Sequence, residues 1–214
     1  MRESAKPRGS GRDVSPAPGA DRYVALDFAN SVVTVAGGHV LDLLDTPQAA
    51  NRWLTERDLA PAEAGMREQC AAQLRRLREH IRSLIAAVVA GRPAPGSAIE
   101  AINEAMTRVS TAAVLRWDSA HGLHRQAAHP TTQIVEHALA VLAADAAELL
   151  TGDDAQLLTA CGSPPCRRYL LRTHRRRHWC SVRCGDRARA ARAYARRAAR
   201  PGEASPAPVE VQAP

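Results

Sequence analysis

Four of the five cysteines lie within 24 residues near the C-terminal end of the chain, and this cluster constrains the fold more than any other feature of the sequence. Cys161 and Cys166 are separated by four residues, Cys180 and Cys184 by three, and a loop of 13 residues joins the two pairs. Each pair can hold one side of a tetrahedral ion, and the loop is long enough to bring the pairs together. Four sulfur ligands leave no open coordination position and favour Zn²⁺, although iron accepts the same ligands. We therefore predict one structural zinc ion on these four cysteines.

Other roles for the cysteines remain open at this point, because some of them could be free thiols or form a redox pair. His174 and His178 are also candidate ligands, but only seven residues separate Cys166 from His174. A two-Cys, two-His finger has roughly 12 residues there, and that choice would leave the last two cysteines unused. The fifth cysteine, Cys70, lies in an apolar helical pattern and is expected to be a small buried side chain.

The positive charge of the chain is concentrated around the same cysteines. The net charge is +7, but residues 161–200 alone carry +12 from 13 arginines and one acid, Asp186, so that the remaining 174 residues carry a net −5. Arginines without acidic neighbours repel one another unless a polyanion neutralises them. The clustering therefore favours nucleic acid as the partner of this segment.

An arginine-rich helix is predicted directly after the last cysteine. The chain from Gly185 to Arg200 is rich in Ala and Arg and has no helix breaker before Pro201. At 100° per residue, its arginines at positions 189, 192, 196 and 200 fall within a stripe of about 80°. The candidate nucleic-acid contacts in the whole segment are Arg172, Arg175, Arg176, Arg177, Arg187, Arg189, Arg192, Arg196 and Arg200.

The rest of the chain is expected to be helical. With only seven aromatic residues, the core must consist chiefly of Leu, Val, Ile and Ala, which suits packed helices. We predict an all-α fold: a helical bundle over residues 21–155 (the body) with one minor β-hairpin, and a small four-Cys zinc module over residues 156–200. Residues 1–20 and 201–214 hold few large apolar side chains and are predicted to be disordered tails.

Local signals predict where the first helices of the body begin and end. The apolar segment 23–31 is ambiguous between a short strand and a helical turn. Thr46 is typical of an N-cap and Pro47 of a first helical position. A long helix is predicted to open at Pro61 and to stop at Gly91, with apolar residues at steps of three and four. These residues are Leu74, Leu77, Ile81, Leu84, Ile85, Val88 and Val89.

Further signals follow in the second half of the body. Residues 97–100 fit a capping box that opens another helix. Residues 114–117 and 122–124 are predicted to form a short hairpin, and Pro130 leads a long helix that ends at Gly152. In the first segment of the body, Asp27 and Asn30 are candidates for lining a pocket, with local capping as the alternative.

The sequence resembles the CGNR zinc finger family with its N-terminal ABATE domain over roughly residues 21–200. The C-terminal likeness lies in Cys161-Gly-Ser-Pro-Pro-Cys166, Tyr169–His174, His178-Trp179-Cys180-Ser181 and Cys184-Gly185-Asp186-Arg187-Ala188-Arg189. The N-terminal likeness lies in Leu26–Ser31, Asp42-Leu43-Leu44, Trp53-Leu54 and the Leu-rich helix. One departure is that the family's Cys-Gly-Asn-Arg has Asp186 in place of Asn, which puts an anion where the family has an amide.

The resemblance implies a stress-related transcription regulator with a mostly helical body. We therefore expect a DNA-binding protein whose body senses a ligand or forms a homodimer, with RNA or an acidic protein as the alternative partner. No nucleophile motif, phosphate loop or open metal site accompanies the scattered histidines, so we expect no enzymatic activity. The chain has no apolar segment of membrane length and no leader-like N-terminus, which favours a cytoplasmic protein without membrane contact.

Overall fold

A computed structural model of the chain describes residues 15–35, 38–62, 64–109, 113–127 and 133–199. Within these ranges it contains six α-helices and three two-stranded antiparallel sheets. In chain order, they are α1 (Val24–Ala29), β1 (Val32–Thr34), β2 (Val40–Asp42), α2 (Pro47–Thr55), α3 (Glu68–Val89), α4 (Gly96–Thr107), β3 (Ala113–Asp118), β4 (Gly122–Ala127), α5 (Ile134–Thr151), β5 (Leu158–Ala160), β6 (Tyr169–Leu171) and α6 (Val182–Ala198).

The fold is mixed, and the prediction of an all-α protein is wrong in this respect. The predicted hairpin is confirmed as β3 and β4, which pair over six residues each. The other two sheets, β1 with β2 and β5 with β6, pair over only three residues per strand. Such short strands carry no alternating pattern that a sequence could reveal, which is why they were not predicted.

The ambiguous first segment is helical. Helix α1 is only six residues long, yet Ala25, Leu26, Phe28 and Ala29 are all buried in the main core. The Ala25 N–H donates to the Asp145 carboxylate on α5 at 2.7 Å, so a residue 120 positions away caps this helix. Tertiary contacts therefore fix a helix that is too short to be stable by itself.

The predicted start of α2 is confirmed, the predicted start of α3 is wrong, and the predicted cap of α4 does not form. Thr46 Oγ1 accepts from the Ala49 N–H at 3.1 Å, and Pro47 occupies the first helical position. Helix α3 begins at Glu68, seven residues after Pro61, although it ends before Gly91 as predicted. The predicted apolar residues are buried or half-buried except Val88, which is 39% exposed. Helix α4 begins at Gly96 with no side-chain cap, so the predicted capping box at residues 97–100 does not form.

Helix α5 is the central helix of the body. Nine of its side chains are buried, and it packs against α1, α3 and α4. It ends at Gly152 as predicted, while its predicted leader, Pro130, lies outside the described residues. The core of the body is therefore a helical layer, with the small sheets at its margin.

A buried ion pair links α3 to the first small sheet. The Arg78 guanidinium, with only 5% of its side chain exposed, donates to Asp42 through NH1 at 2.5 Å and NH2 at 2.8 Å. Its NH1 also donates to the Ser31 hydroxyl at 3.0 Å. Burial alone would raise the pKa of Asp42, but hydrogen bonds from Arg78 and from the Leu44 N–H outweigh it and lower that pKa. This arrangement fixes β2 against the body.

The end of the predicted N-terminal tail is packed against the zinc module. Ala17 is 2% exposed and belongs to the same apolar cluster as three of the four clustered cysteines. The Pro18 carbonyl accepts from the Leu171 N–H on β6 at 2.8 Å, and the Ser15 carbonyl accepts from Arg168 at 3.0 Å. The structure thus differs from the predicted tail in its last six residues, while residues 1–14 and 201–214 lie outside the described ranges.

Candidate metal centre and nucleic-acid interface

The four clustered cysteines converge on one point. Cys161 follows β5, Cys166 lies in the turn before β6, and Cys184 lies in the first turn of α6 with Cys180 just before it. All four Sγ atoms lie within 4.8 Å of one another, and Cys180 Sγ is 3.7 Å from Cys166 Sγ and 3.6 Å from Cys184 Sγ. Zinc–sulfur bonds of about 2.3 Å place the corners of a tetrahedron about 3.8 Å apart. The residues present therefore fit one structural zinc ion.

Backbone hydrogen bonds hold the two cysteine pairs together. The Gly162 N–H donates to the His178 carbonyl at 2.9 Å, and the Cys180 N–H donates to Cys161 Sγ at 3.4 Å. Ser181 caps α6, because its hydroxyl accepts from the Cys184 N–H at 3.2 Å. The helix consequently begins at Val182, three residues before the predicted start, and carries the fourth ligand within its first turn.

The four thiols lie close enough together to shift one another's pKa values. Hydrogen bonds from Cys166 and Cys180 lower the pKa of Cys161 to about 3, whereas hydrogen bonding to that thiolate raises the pKa of Cys180. Zinc ligation requires deprotonated cysteines, so a zinc ion at this cluster would displace the thiol protons.

The alternative sulfur and nitrogen ligands lie elsewhere. His174 and His178 are both exposed and outside the four-sulfur group. Cys70 is half-buried and packs against the core of the body. Within the described ranges, the four-sulfur group is the one metal-type cluster of Cys, His and acidic side chains.

Two arginines face the sulfur atoms, and only one of them was singled out in the sequence. Arg168 is 6% exposed, and its NH1 lies 3.9 Å from Cys180 Sγ. Arg187 reaches Cys184 Sγ at 3.3 Å and the Ser163 carbonyl at 3.0 Å, both through NH2. A four-thiolate zinc centre carries a formal charge of −2, which these two cations offset. Arg187 was predicted to contact nucleic acid, but its guanidinium lies against the metal centre. Its position one helical turn after the ligand Cys184 is a sequence signal that could have indicated contact with the sulfur.

The other predicted arginines within the described residues are exposed on the zinc module. Arg172 and the loop residues Arg175, Arg176 and Arg177 are exposed. On α6, the guanidinium groups of Arg189 and Arg192 lie 5.6 and 5.7 Å from the centre of the Trp179 ring. Arg196 continues the same helical stripe, and Arg200 lies outside the described residues.

The loop that holds Arg176 and Arg177 meets helix α6 in a cleft of about 490 Å³, which we call the basic cleft. Trp179 and Val182 supply its apolar surface, and Arg176, Arg177 and Arg189 stand around it. Val182 is 79% exposed although it opens the helix. Three of the predicted arginines, Arg176, Arg177 and Arg189, are therefore brought together at one site.

The arginine stripe is not free of acidic partners, contrary to the expectation from the sequence. Asp186 pairs with Arg189 at 2.5 Å, one helical turn apart. Both side chains are more than half exposed, so water screens this pair strongly. Asp186, which stands where the Cys-Gly-Asn-Arg pattern has Asn, thus competes with any bound anion for Arg189 of the basic cleft.

Asp27 and Asn30, the predicted pocket residues, are engaged elsewhere. Asp27 binds Arg57, whose NH2 and Nε lie 2.5 and 2.7 Å from its Oδ2. Asn30 is 1% exposed, and its amide binds the backbone of Tyr169 on β6. The pocket role is therefore corrected: Asn30 joins the body to the zinc module, and Asp27 joins α1 to the end of α2.

The comparisons with known proteins agree with this division of the chain. Residues 23–153, more than half of the chain, match the ABATE model, described as "Putative stress-induced transcription regulator". Residues 158–197 match the model of the CGNR zinc finger. No curated protein matches the chain. Among the described residues, every helix is too short or too polar to cross a lipid bilayer.

Proposed function

The chain belongs to the ABATE family and carries a CGNR zinc finger, and on this basis we propose that it is a transcription regulator that binds DNA through the basic cleft and α6. The observation that carries the proposal is the convergence of arginines from the loop and from the helix on one exposed surface, where Asp186 is the acidic residue that pairs with one of them, Arg189. Such a surface attracts the phosphates of a nucleic acid.

The shape of α6 supports the proposal. Its first turn is anchored by Cys184 and Gly185, which are buried, whereas from Asp186 onward every described side chain is exposed or half-buried. The helix has 17 residues and is therefore roughly 26 Å long, and most of this length is available to a partner. The major groove of B-DNA is wide enough to admit an α-helix.

The zinc ion makes this surface rigid. The ligand Cys184 fixes the base of α6, and the backbone bond between Gly162 and His178 fixes the arginine loop beside it. Phosphate contacts by the loop would set the orientation, and side chains of α6 would contact base edges. Because all four ligand positions would be filled by sulfur, the metal would contribute structure and offer no open position to a substrate.

The test is a titration of zinc-loaded protein with labelled duplex DNA at several salt concentrations. If about six arginines each neutralise a phosphate, the slope of log K against log salt is near −5. Arg192→Ala and Arg196→Ala should each flatten this slope by about one unit. Arg76→Ala is the matched control, because Arg76 is an exposed arginine of the body without an ion pair in the described structure.

Three outcomes contradict the proposal. A flat salt response would exclude phosphate contacts as the source of affinity. If Arg76→Ala flattened the slope as much as Arg192→Ala and Arg196→Ala, the basic cleft would be excluded as the DNA-binding site. Preference for single-stranded RNA over every duplex selected from a random pool would favour the RNA-binding alternative.

A further inference from the structure

A groove of about 340 Å³ lies between α3 and α4 on the surface of the body. It is lined by four residues of α3 and by four residues of α4 and its C-cap, at steps of three and four, so each helix turns one stripe of side chains toward the groove. Leu139 of α5 also lines it. The volume is near the lower end of the roughly 300–1,000 Å³ of small-molecule sites in proteins. The groove therefore has the size of a site for a small organic ligand.

The floor of the groove is apolar. Leu77 and Leu139 line it and are only 5% and 6% exposed, because both belong to the main core of the body. The α4 residues that line the same floor are Ala101 and Ala105, which are half-buried. An alanine side chain ends at Cβ, so these two positions leave the space between the helices open. The floor offers carbon atoms to the apolar part of a ligand.

The rim of the groove is cationic, although the body as a whole is acidic. Residues 21–155 contain 12 arginines and 17 acids, a net charge of −5. Two of these arginines, Arg76 and Arg108, line the groove together with one acid, Glu104. Glu104 pairs with Arg108, four positions later in the chain. Arg76 has no acidic partner among the described residues, so one positive charge of the groove is unopposed there.

We propose that this groove binds a small organic acid with one carboxylate and an apolar body. Arg76 would hold the carboxylate, because a guanidinium presents two N–H groups to it at once. His80 lies one helical turn after Arg76 on the same stripe and presents a ring N–H in either neutral tautomer. Glu104 would repel a second negative group, which favours monocarboxylates over phosphates and dicarboxylates.

This site is separate from the surface proposed to bind DNA. The groove and the basic cleft share no lining residue, and they lie on the body and on the zinc module respectively. Binding of the acid is measured without DNA, so a failure of either proposal leaves the other standing.

The first test is NMR chemical-shift mapping of the full-length, zinc-loaded, isotope-labelled protein. The probe is phenylacetate, a monocarboxylate with an apolar ring, and phenylacetamide is the uncharged control of nearly the same shape. We expect shifts concentrated on the groove residues of α3 and α4, a dissociation constant of about 0.1–1 mM for phenylacetate, and roughly fivefold or weaker binding of the amide. Equal binding of the two compounds, shifts confined to the basic cleft, or no saturable shift at millimolar phenylacetate would overturn the proposal.

Two pairs of variants test the charge and the floor. Arg76→Gln removes the unopposed charge and should weaken phenylacetate binding roughly fivefold or more, whereas Arg52→Gln, at an exposed arginine of α2, should not. Ala101→Leu fills the floor and should abolish binding, whereas Ala144→Leu adds the same bulk at an exposed position of α5 and should not. Circular dichroism checks the helix content of each variant. Unchanged affinity in Arg76→Gln, or in a folded Ala101→Leu protein, would contradict the site.

Discussion

The side-chain amide of Asn30 exchanges two hydrogen bonds with the backbone of Tyr169: its Nδ2 donates to the carbonyl and its Oδ1 accepts from the N–H, each at 2.8 Å. Asn30 ends α1 in the body, and Tyr169 begins β6 in the zinc module. The bonds are buried, so water cannot replace them easily. Asn30 is thereby one of the side chains that hold the body and the zinc module in a defined arrangement, together with Arg82, which donates to the Arg167 carbonyl at 3.0 Å.

Replacing this side chain should destabilise the whole protein. Asn30→Ala leaves both backbone groups of Tyr169 without their partners, at an expected cost of about 2–4 kcal/mol in the free energy of unfolding. Asn103→Ala, at an exposed position on α4, is the control and should cost less than about 0.5 kcal/mol. Urea unfolding compares the two variants. Equal stability of both would show that the amide is dispensable.

The metal centre should depend on each clustered cysteine and not on the fifth. Cys180→Ser is expected to lose stoichiometric zinc and to unfold residues 161–184, because this segment has little core of its own. Cys70→Ser should retain zinc, since Cys70 lies in the body. Metal analysis and hydrogen exchange of α6 provide the measurements. Full zinc content in Cys180→Ser would contradict the ligand assignment.

The buried pair of Arg78 and Asp42 predicts a dependence of stability on pH. The pKa of Asp42 is lower in the folded than in the unfolded protein, so the pair stabilises the fold above the unfolded pKa of about 3.9 and this contribution is lost as pH falls through the folded value. Asp42→Asn leaves the buried Arg78 without its carboxylate and should cost about 3–5 kcal/mol at pH 7.

The pH dependence is measured as the difference in unfolding free energy between wild type and Asp42→Asn. Protonation of the zinc ligands affects both proteins alike and cancels in this difference. The difference should be largest near neutral pH and should shrink below about pH 4. A difference that is constant from pH 3 to pH 7 would show that Asp42 does not titrate as argued.

The packing of the N-terminal segment can be tested at Gly19. This glycine has a φ of +93°, and an added Cβ would lie 2.5 Å from the side chain of Leu171. Gly38 has a φ of +80° with no atom within 4 Å of the added Cβ, so Gly38→Ala measures the backbone cost alone, about 1–2 kcal/mol. Gly19→Ala should lower the melting temperature more than Gly38→Ala does, because the added Cβ also collides with Leu171. Equal shifts would indicate that the segment moves away without cost.

Asp186 offers a gain-of-binding prediction that rests on the proposed function. Asp186→Asn removes the partner of Arg189 and one negative charge from the basic cleft. We expect several-fold tighter binding to duplex DNA at low salt and a smaller gain at high salt, because the pair is exposed and screened. Fluorescence anisotropy measures the affinity for duplex DNA at both salt concentrations. Weaker binding would mean that the carboxylate itself contacts the DNA or a water bound to it.

Sequence reasoning succeeded where one local pattern determines the outcome. The cysteine spacing located the metal centre, and Thr46 followed by Pro47 located the start of α2, because both depend on neighbours within a few residues. Sequence reasoning failed where contacts between residues far apart in the chain determine the structure. Asn30 and Tyr169 are 139 positions apart, and Arg168 and Ser15 are 153 positions apart, and no local periodicity records such pairs.

The N-terminal segment has a practical consequence for anyone who wishes to transplant the zinc finger. Because Ala17 fills the apolar cluster beside the cysteines, the unit that folds around the metal is assembled from both ends of the polypeptide. A fragment cut before residue 156 would therefore lose part of its own interior. The finger in this protein is therefore built from two distant segments of the chain, and a transplant should include both.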